Sequence, residues 1–232
     1  MKKKLAILLL IVALISTSYF FLTRNEGEEI SMPEEETVEA GESEEEEKKE
    51  EEEEVEEEKI ACENSFVDPR DEQEYCIMEI GKQVWMAQNL NYDNDCSQVE
   101  WRNTRDEGWC GCYDYEDENC DVYGKLYQWS AATEICPEGW HLPSDTEWGQ
   151  LMTFSGSTPG RELKDSGFNK FSAGSITPSG GFQNIDDNAY FWSADESTET
   201  RAWARHFITN HSGVYRLALE KAFAFSVRCI QD

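Results

Sequence analysis

The chain has 232 residues, with 49 acidic against 20 basic side chains and a formal net charge of −29. Affinity for nucleic acid rests on neutralising phosphates with Lys and Arg, so this balance excludes DNA and RNA as partners. The charge is uneven: residues 26–59 hold twenty glutamates and three lysines, and with four basic residues before them the remaining 60–232 carries −16.

Residues 1–25 begin with the basic stretch Met1–Lys4, and Leu5–Leu22 follows as 18 residues without a charge. A run of that length is just enough to span a bilayer. Lysines before it and acids after it place the N-terminus inside and the rest of the chain outside the cytoplasm. It is expected to be a signal-anchor that holds the protein in the cell envelope. The rival reading is a cleaved signal, which would leave a secreted protein, since Ser16, Thr17 and Ser18 offer small residues at suitable spacing. No cysteine lies near the end of the run, which excludes a lipoprotein anchor. Residues 26–59 cannot bury enough apolar surface to offset their ordering entropy, so a disordered acidic linker is expected there. Fully stretched it would reach about 110 Å.

All eight cysteines fall between Cys62 and Cys229. An even number confined to the exported part reads as a disulfide framework. Zinc is disfavoured, because Cys110 and Cys112 are too close for a zinc knuckle and no C-x-x-C pair exists.

Within 60–232, Asp68-Pro69-Arg70-Asp71 predicts a turn, and Glu74–Leu90 a hairpin about Gly81-Lys82. Asn91–Asp121 is polar and loop-like, carrying Cys96, Cys110, Cys112 and Cys120, and a loop that long needs cross-links to stay ordered. Its acidic stretch Asp114–Asn119 lacks the D-x-D-x-D-G pattern of a dedicated calcium loop, so it reads as a solvated face. Tyr123–Ile135 has apolar residues at helical spacing, ending at Cys136-Pro137. Ser144-Asp145-Thr146-Glu147 is a capping box opening a helix with Trp148, Leu151 and Met152 on one face. Arg161–Asp165 predicts one more helical turn. Tyr190–Ser193, Arg201–Ile208 and Val214–Ile230 read as strands, and alternation in the last puts Cys229 on the inward face. Strands, two helices, then strands define an α+β domain.

No catalytic set is legible. The three histidines, His141, His206 and His211, have neither a spaced nucleophile nor H-x-x-x-H spacing, and no G-x-S-x-G or phosphate loop is present. No metal ligand set and no cofactor are expected, and the chain is expected not to be an enzyme. Trp101, Trp109, Tyr113 and Tyr115 in the cysteine-bearing loop are the candidate ligand contacts, because aromatic side chains dominate binding surfaces.

These residues resemble the Fibrobacter succinogenes major paralogous domain, a bacterial family of exported and surface proteins. The resemblance is carried by Phe66-Val67-Asp68-Pro69-Arg70-Asp71, Ile80–Leu90, Tyr123–Trp129, Cys136–Ser144, Glu147-Trp148, Gly167-Phe168-Asn169, Phe191-Trp192-Ser193 and Ser226-Val227-Arg228-Cys229. It covers essentially all of 60–232. A weaker likeness of His141–Ser144 with Glu147-Trp148, and of the terminal S-V-R-C, is to formylglycine-generating-enzyme-like domains. That likeness implies a C-type-lectin-like architecture, two helices against small antiparallel sheets. Those enzymes use a C-terminal cysteine pair with copper. This chain has Cys229 alone there, so that role does not carry over from the likeness. A metal-dependent enzyme of the formylglycine-generating type is the alternative reading, and it would require a metal held by free thiols.

The resemblance also implies pairings of Cys136 with Cys229 and Cys112 with Cys120, and then of Cys96 with Cys110 and Cys62 with Cys76. Taken with the anchor, the acidic spacer and the missing catalytic set, the resemblance leads to the expectation of a non-catalytic module outside the cytoplasm, with a carbohydrate or a surface protein as partner. A purely structural envelope protein is the third reading.

Overall fold

The computed structural model describes residues 64–102, 105–168 and 172–232. The expected membrane segment, the acidic linker and Cys62 lie outside them. The domain mixes helix and sheet. Strands β1 (Ser65–Val67), β2 (Glu74–Ile80) and β3 (Gln83–Met86) run antiparallel, and β13 (Ile230–Gln231) and β6 (Trp140–His141) complete a five-stranded sheet in the order β1-β2-β3-β13-β6. The expected hairpin is β2–β3, turning at Gly81 with φ of 68°.

The larger sheet has the path β11-β10-β9-β12-β5-β4, with β7 and β8 beside β12. Its strands are β4 (Cys110–Gly111), β5 (Leu126–Gln128), β7 (Ser175–Ile176), β8 (Phe182–Gln183), β9 (Asn188–Thr198), β10 (Arg201–Ile208), β11 (Val214–Glu220) and β12 (Ala224–Ser226). Pairing is antiparallel throughout this path except between β12 and β9. Among the described residues four short helices, rather than the two expected, accompany the sheets: α1 (Asp117–Tyr123), α2 (Trp129–Ala132), α3 (Asp145–Phe154) and α4 (Pro159–Asp165).

Two sequence expectations are corrected. Tyr123–Ile135 is not one helix: α1 ends at Tyr123, Leu126–Gln128 is strand β5, and only Trp129–Ala132 is helical. All three β5 residues are buried, flanked by β12 and β4, and a strand buried on both faces shows no alternation to separate it from a helix. Gly124 makes the break, with φ of 71° and a Cβ position only 2.8 Å from Asn89 Cβ. Val214–Ile230 is likewise three strands rather than one, because the chain turns at Lys221-Ala222 to pass from β11 to β12.

The capping box forms as expected. Ser144 Oγ accepts from Glu147 N–H, and the Glu147 carboxylate accepts from Ser144 N–H at 2.7 Å. Helix α3 then buries Trp148 and Leu151 with Trp85, Phe168, Phe191 and Phe207. A second cluster draws on strands of both sheets and holds Tyr75, Met86, Leu90, Tyr127, Trp140, Trp192 and Phe225.

Arg228 is fully buried, and among the described residues no carboxylate pairs with it. Its guanidinium donates to the carbonyls of Ala87 and Phe168 and to Asn89 Oδ1, with a weaker bond to Met86 O. Burial pushes its pKa down to about 9.

Three disulfides join Cys96 to Cys110, Cys112 to Cys120 and Cys136 to Cys229, the pairs the resemblance implied. Cys76 is also disulfide-bonded. Its expected partner, Cys62, lies outside the described residues.

Candidate functional site

The cysteine-bearing loop is built from a single buried side chain outward. Gln128 at the end of β5 is inaccessible to solvent. Its Oε1 accepts from the N–H groups of Glu107 and Trp109 at 3.0 and 3.1 Å. Its Nε2 donates to the carbonyls of Arg105 and Ala222 at 2.9 and 3.3 Å. One amide thus pins residues 105–109 against the turn before β12. Nothing in the sequence distinguished Gln128 from the helix residue it was expected to be.

The loop carries an aromatic cluster on one side. Trp109 is 5 % exposed and forms the floor. Trp101 packs edge-on against it, with centroids 5.1 Å apart. Gly180, with φ of 85°, lets the Trp101 ring approach, since a Cβ there would lie 3.2 Å from Trp101 Nε1. Tyr113 and Tyr115 each sit 5.0 Å from Phe182 of β8. Phe182 belongs to this cluster by folding alone, being far from the loop in sequence.

Tyr115 is the outermost member and is 64 % exposed. It has φ of 60° and follows Asp114 at 55°. Two adjacent non-glycine residues in the left-handed region are uncommon, and an aromatic there is a local strain that the surroundings must hold. The Cys112–Cys120 disulfide, the bond from Tyr115 N–H to Cys112 O, and the bond from Asn119 Nδ2 to Tyr113 O at 2.8 Å hold it. Of the four aromatic residues singled out in the sequence, the structure brings all into one cluster, with Trp109 beneath, Trp101 and Tyr113 half-buried, and Tyr115 presented to solvent. The rim is acidic. Tyr123 Oη donates to Asp186 Oδ1 at 2.5 Å, which together with burial pushes the phenol up to about 12.

Asp106 of the same segment lines a cleft of about 420 Å3 together with Glu199–Arg201 and Glu220–Ala222. Asp106 accepts from Ser130 Oγ at 2.7 Å and from Ser130 N–H at 2.9 Å, and burial still raises its pKa above the usual carboxylate value. Lys221 Nζ donates to Glu196 at 2.6 Å and to Glu199 O at 3.0 Å, over the Trp129 ring.

The histidines are held in place by neighbours. His141 bridges Glu147 at 2.9 Å and Asp232 at 2.6 Å, tying β6 to the start of α3 and to the last residue. His206 stacks on Tyr190 with centroids 4.2 Å apart, and burial lowers its pKa. Among the described residues, the one cluster with metal-ligand spacing is Asp93 with Cys96 and Cys110, and those two sulfurs are bonded to each other.

The chain thus folds as an α+β domain with Arg228 buried between β12 and β13 and with a helix capped by Ser144 and Glu147. The family model for the Fibrobacter succinogenes major domain matches residues 78–231, and the chain belongs to that family. No curated protein and no solved structure matches the chain.

Proposed function

We propose that this domain is a non-catalytic, C-type-lectin-like module displayed outside the cytoplasm on an acidic stalk, and that it binds glycan through the Tyr115 platform. The observation that carries this reading is Tyr115 itself, an aromatic ring largely open to solvent on a backbone held in a strained conformation by a disulfide. Exposed rings of fixed orientation offer flat apolar faces to sugar rings at low entropic cost. Carboxylates at the rim, Asp114 and Asp186 among them, supply acceptors for hydroxyl groups. Small antiparallel sheets, and the Cys136–Cys229 bridge that ties the segment after α2 to the segment before β13, support the lectin-like architecture. The apolar run before the stalk supports display from a membrane, and the disulfides support an oxidising compartment.

The test is a glycan array probed with the protein, its Tyr115→Ala variant and its Phe182→Ala variant. Retention of a defined set of glycans is expected, with at least tenfold weaker binding by each variant, the loss typical of an aromatic anchor. Absence of any retained glycan, or equal retention by Tyr115→Ala, sinks the assignment.

A further inference from the structure

The larger sheet ends on β11, and among the described residues β10 alone pairs with it. That pairing is unbroken over seven residue pairs, from Arg201–Glu220 to Phe207–Val214. Alternate backbone N–H and C=O groups of such a strand point away from its neighbour, where only water or another strand can bind them. The devices that usually guard an edge are absent from Val214–Glu220, which has no proline, no lysine and no bulge. Its one cation, Arg216, does not stand guard. Its Nε and Nη2 bind Asp145 at 2.8 and 2.9 Å, and its guanidinium lies 3.2 Å over the Trp203 ring. Beside it, Leu217 and Leu219 are half-buried and Tyr215 is 42 % exposed.

We infer that β11 pairs edge to edge, antiparallel, with β11 of a second copy of this chain, about a two-fold axis at Ala218. A two-fold pairing is self-complementary, and side chains opposite one another must share a face, so the axis has to pass through a residue position. Centring it on Ala218 sets Arg216 opposite Glu220 of the second copy, twice, and Leu217 opposite Leu219, twice. Centring it on Arg216 would oppose two guanidinium groups. The registers centred on Tyr215, Leu217 or Leu219 oppose no unlike charges. Charge complementarity therefore selects Ala218. Both groups are accessible for it, since Arg216 is 45 % exposed and Glu220 is 47 % exposed with its present partner Arg201 at 3.9 Å. Long-range repulsion between two acidic domains is screened beyond about 8 Å at physiological salt, while adjacent strands lie well within that distance.

The experiment is oxidative cross-linking of the full chain at physiological salt. Antiparallel partners have Cα atoms about 4.5–5.5 Å apart, within reach of a disulfide. Ala218→Cys is expected to give a covalent dimer, at least tenfold more than Thr153→Cys on the exposed face of α3. Adding Glu220→Arg to Ala218→Cys is expected to cut the dimer at least fivefold. Should the cysteine variant fail to fold, sedimentation velocity keeps the test open: the unmodified chain is expected to run as a dimer and Glu220→Arg as a monomer. A monomeric chain, cross-linking of the Ala218→Cys variant only to some other protein, or a higher yield from Leu217→Cys than from Ala218→Cys overturns the proposal.

Discussion

Arg228 shows how single residues hold this domain. A charge with no access to water is costly, and it is tolerated here because the carbonyls of Ala87 and Phe168 and the Asn89 side chain converge on it. Those acceptors come from the segment after β3 and from the turn after α4, so one side chain joins regions far apart in sequence. Arg228→Leu strands the acceptors in the interior and is expected to cost about 3–5 kcal/mol, read as a fall in the denaturation midpoint. Asp68 and Arg70 form a second such pair. Arg70 donates to Asp68 at 2.6 Å and to Ile135 O at 2.8 Å, and its guanidinium covers the Tyr92 ring. The Asp68 carboxyl, whose burial would favour protonation, is held below its usual range by the Arg70 hydrogen bonds and charge. His141 works with the opposite sign. Burial would lower its pKa, but hydrogen bonds to Glu147 and Asp232 outweigh that and raise it above the ordinary value near 6.5. Its contribution to stability is therefore full below pH 6.5 and is lost as pH rises through the folded-state value. Being 40 % exposed, it contributes less than about 1 kcal/mol. Thermal unfolding between pH 6 and 8 should show a decline for the native chain that is flattened in His141→Gln. Equal slopes in the two proteins would refute the role given to this histidine.

At the scale of elements, what was legible in the sequence was whatever local chemistry decides. The β2–β3 hairpin follows from Gly81 between two β-rich runs, and α3 follows from Ser144 and Glu147 in a capping box. Segment 126–128 was not legible, because its burial comes from β12 and β4, neighbours that lie at distant points of the chain. Helix α1 also escaped notice: its sequence Asp117–Tyr123 is acidic with no apolar stripe, and the Cys112–Cys120 bridge ties it down. The aromatic site was half legible. The loop residues stood out by composition, whereas Phe182 and Gln128 join them only through folding. Gln128→Ala removes four hydrogen bonds from the loop's base and is expected to cost about 2–4 kcal/mol. Hydrogen exchange should quicken first at the amides of Glu107 and Trp109. Unchanged protection at those two amides would show that the loop is held by other contacts.

For the domain taken whole, the cross-links differ in what they restrain. Cys136–Cys229 spans 93 residues, while Cys112–Cys120 spans 8. Loop-closure entropy gives the long bridge roughly 4.6 kcal/mol and the short one roughly 2.5 kcal/mol. Replacing the long pair with serine should thus lower the denaturation midpoint nearly twice as far as replacing the short pair. The short bridge has a different task, which is to hold Tyr115 at the surface. Its removal should weaken ligand binding more than it weakens the fold. The proposed glycan platform is tested most directly by following the indole N–H signals in nitrogen–proton NMR while adding a glycan retained on the array. Trp101 borders the platform, whereas Trp85, Trp148 and Trp192 lie in the interior. A shift of the Trp101 signal that saturates with glycan, with those three unmoved and no response in Tyr115→Ala, is the predicted result. A Trp101 signal that stays fixed while bound glycan accumulates would contradict it.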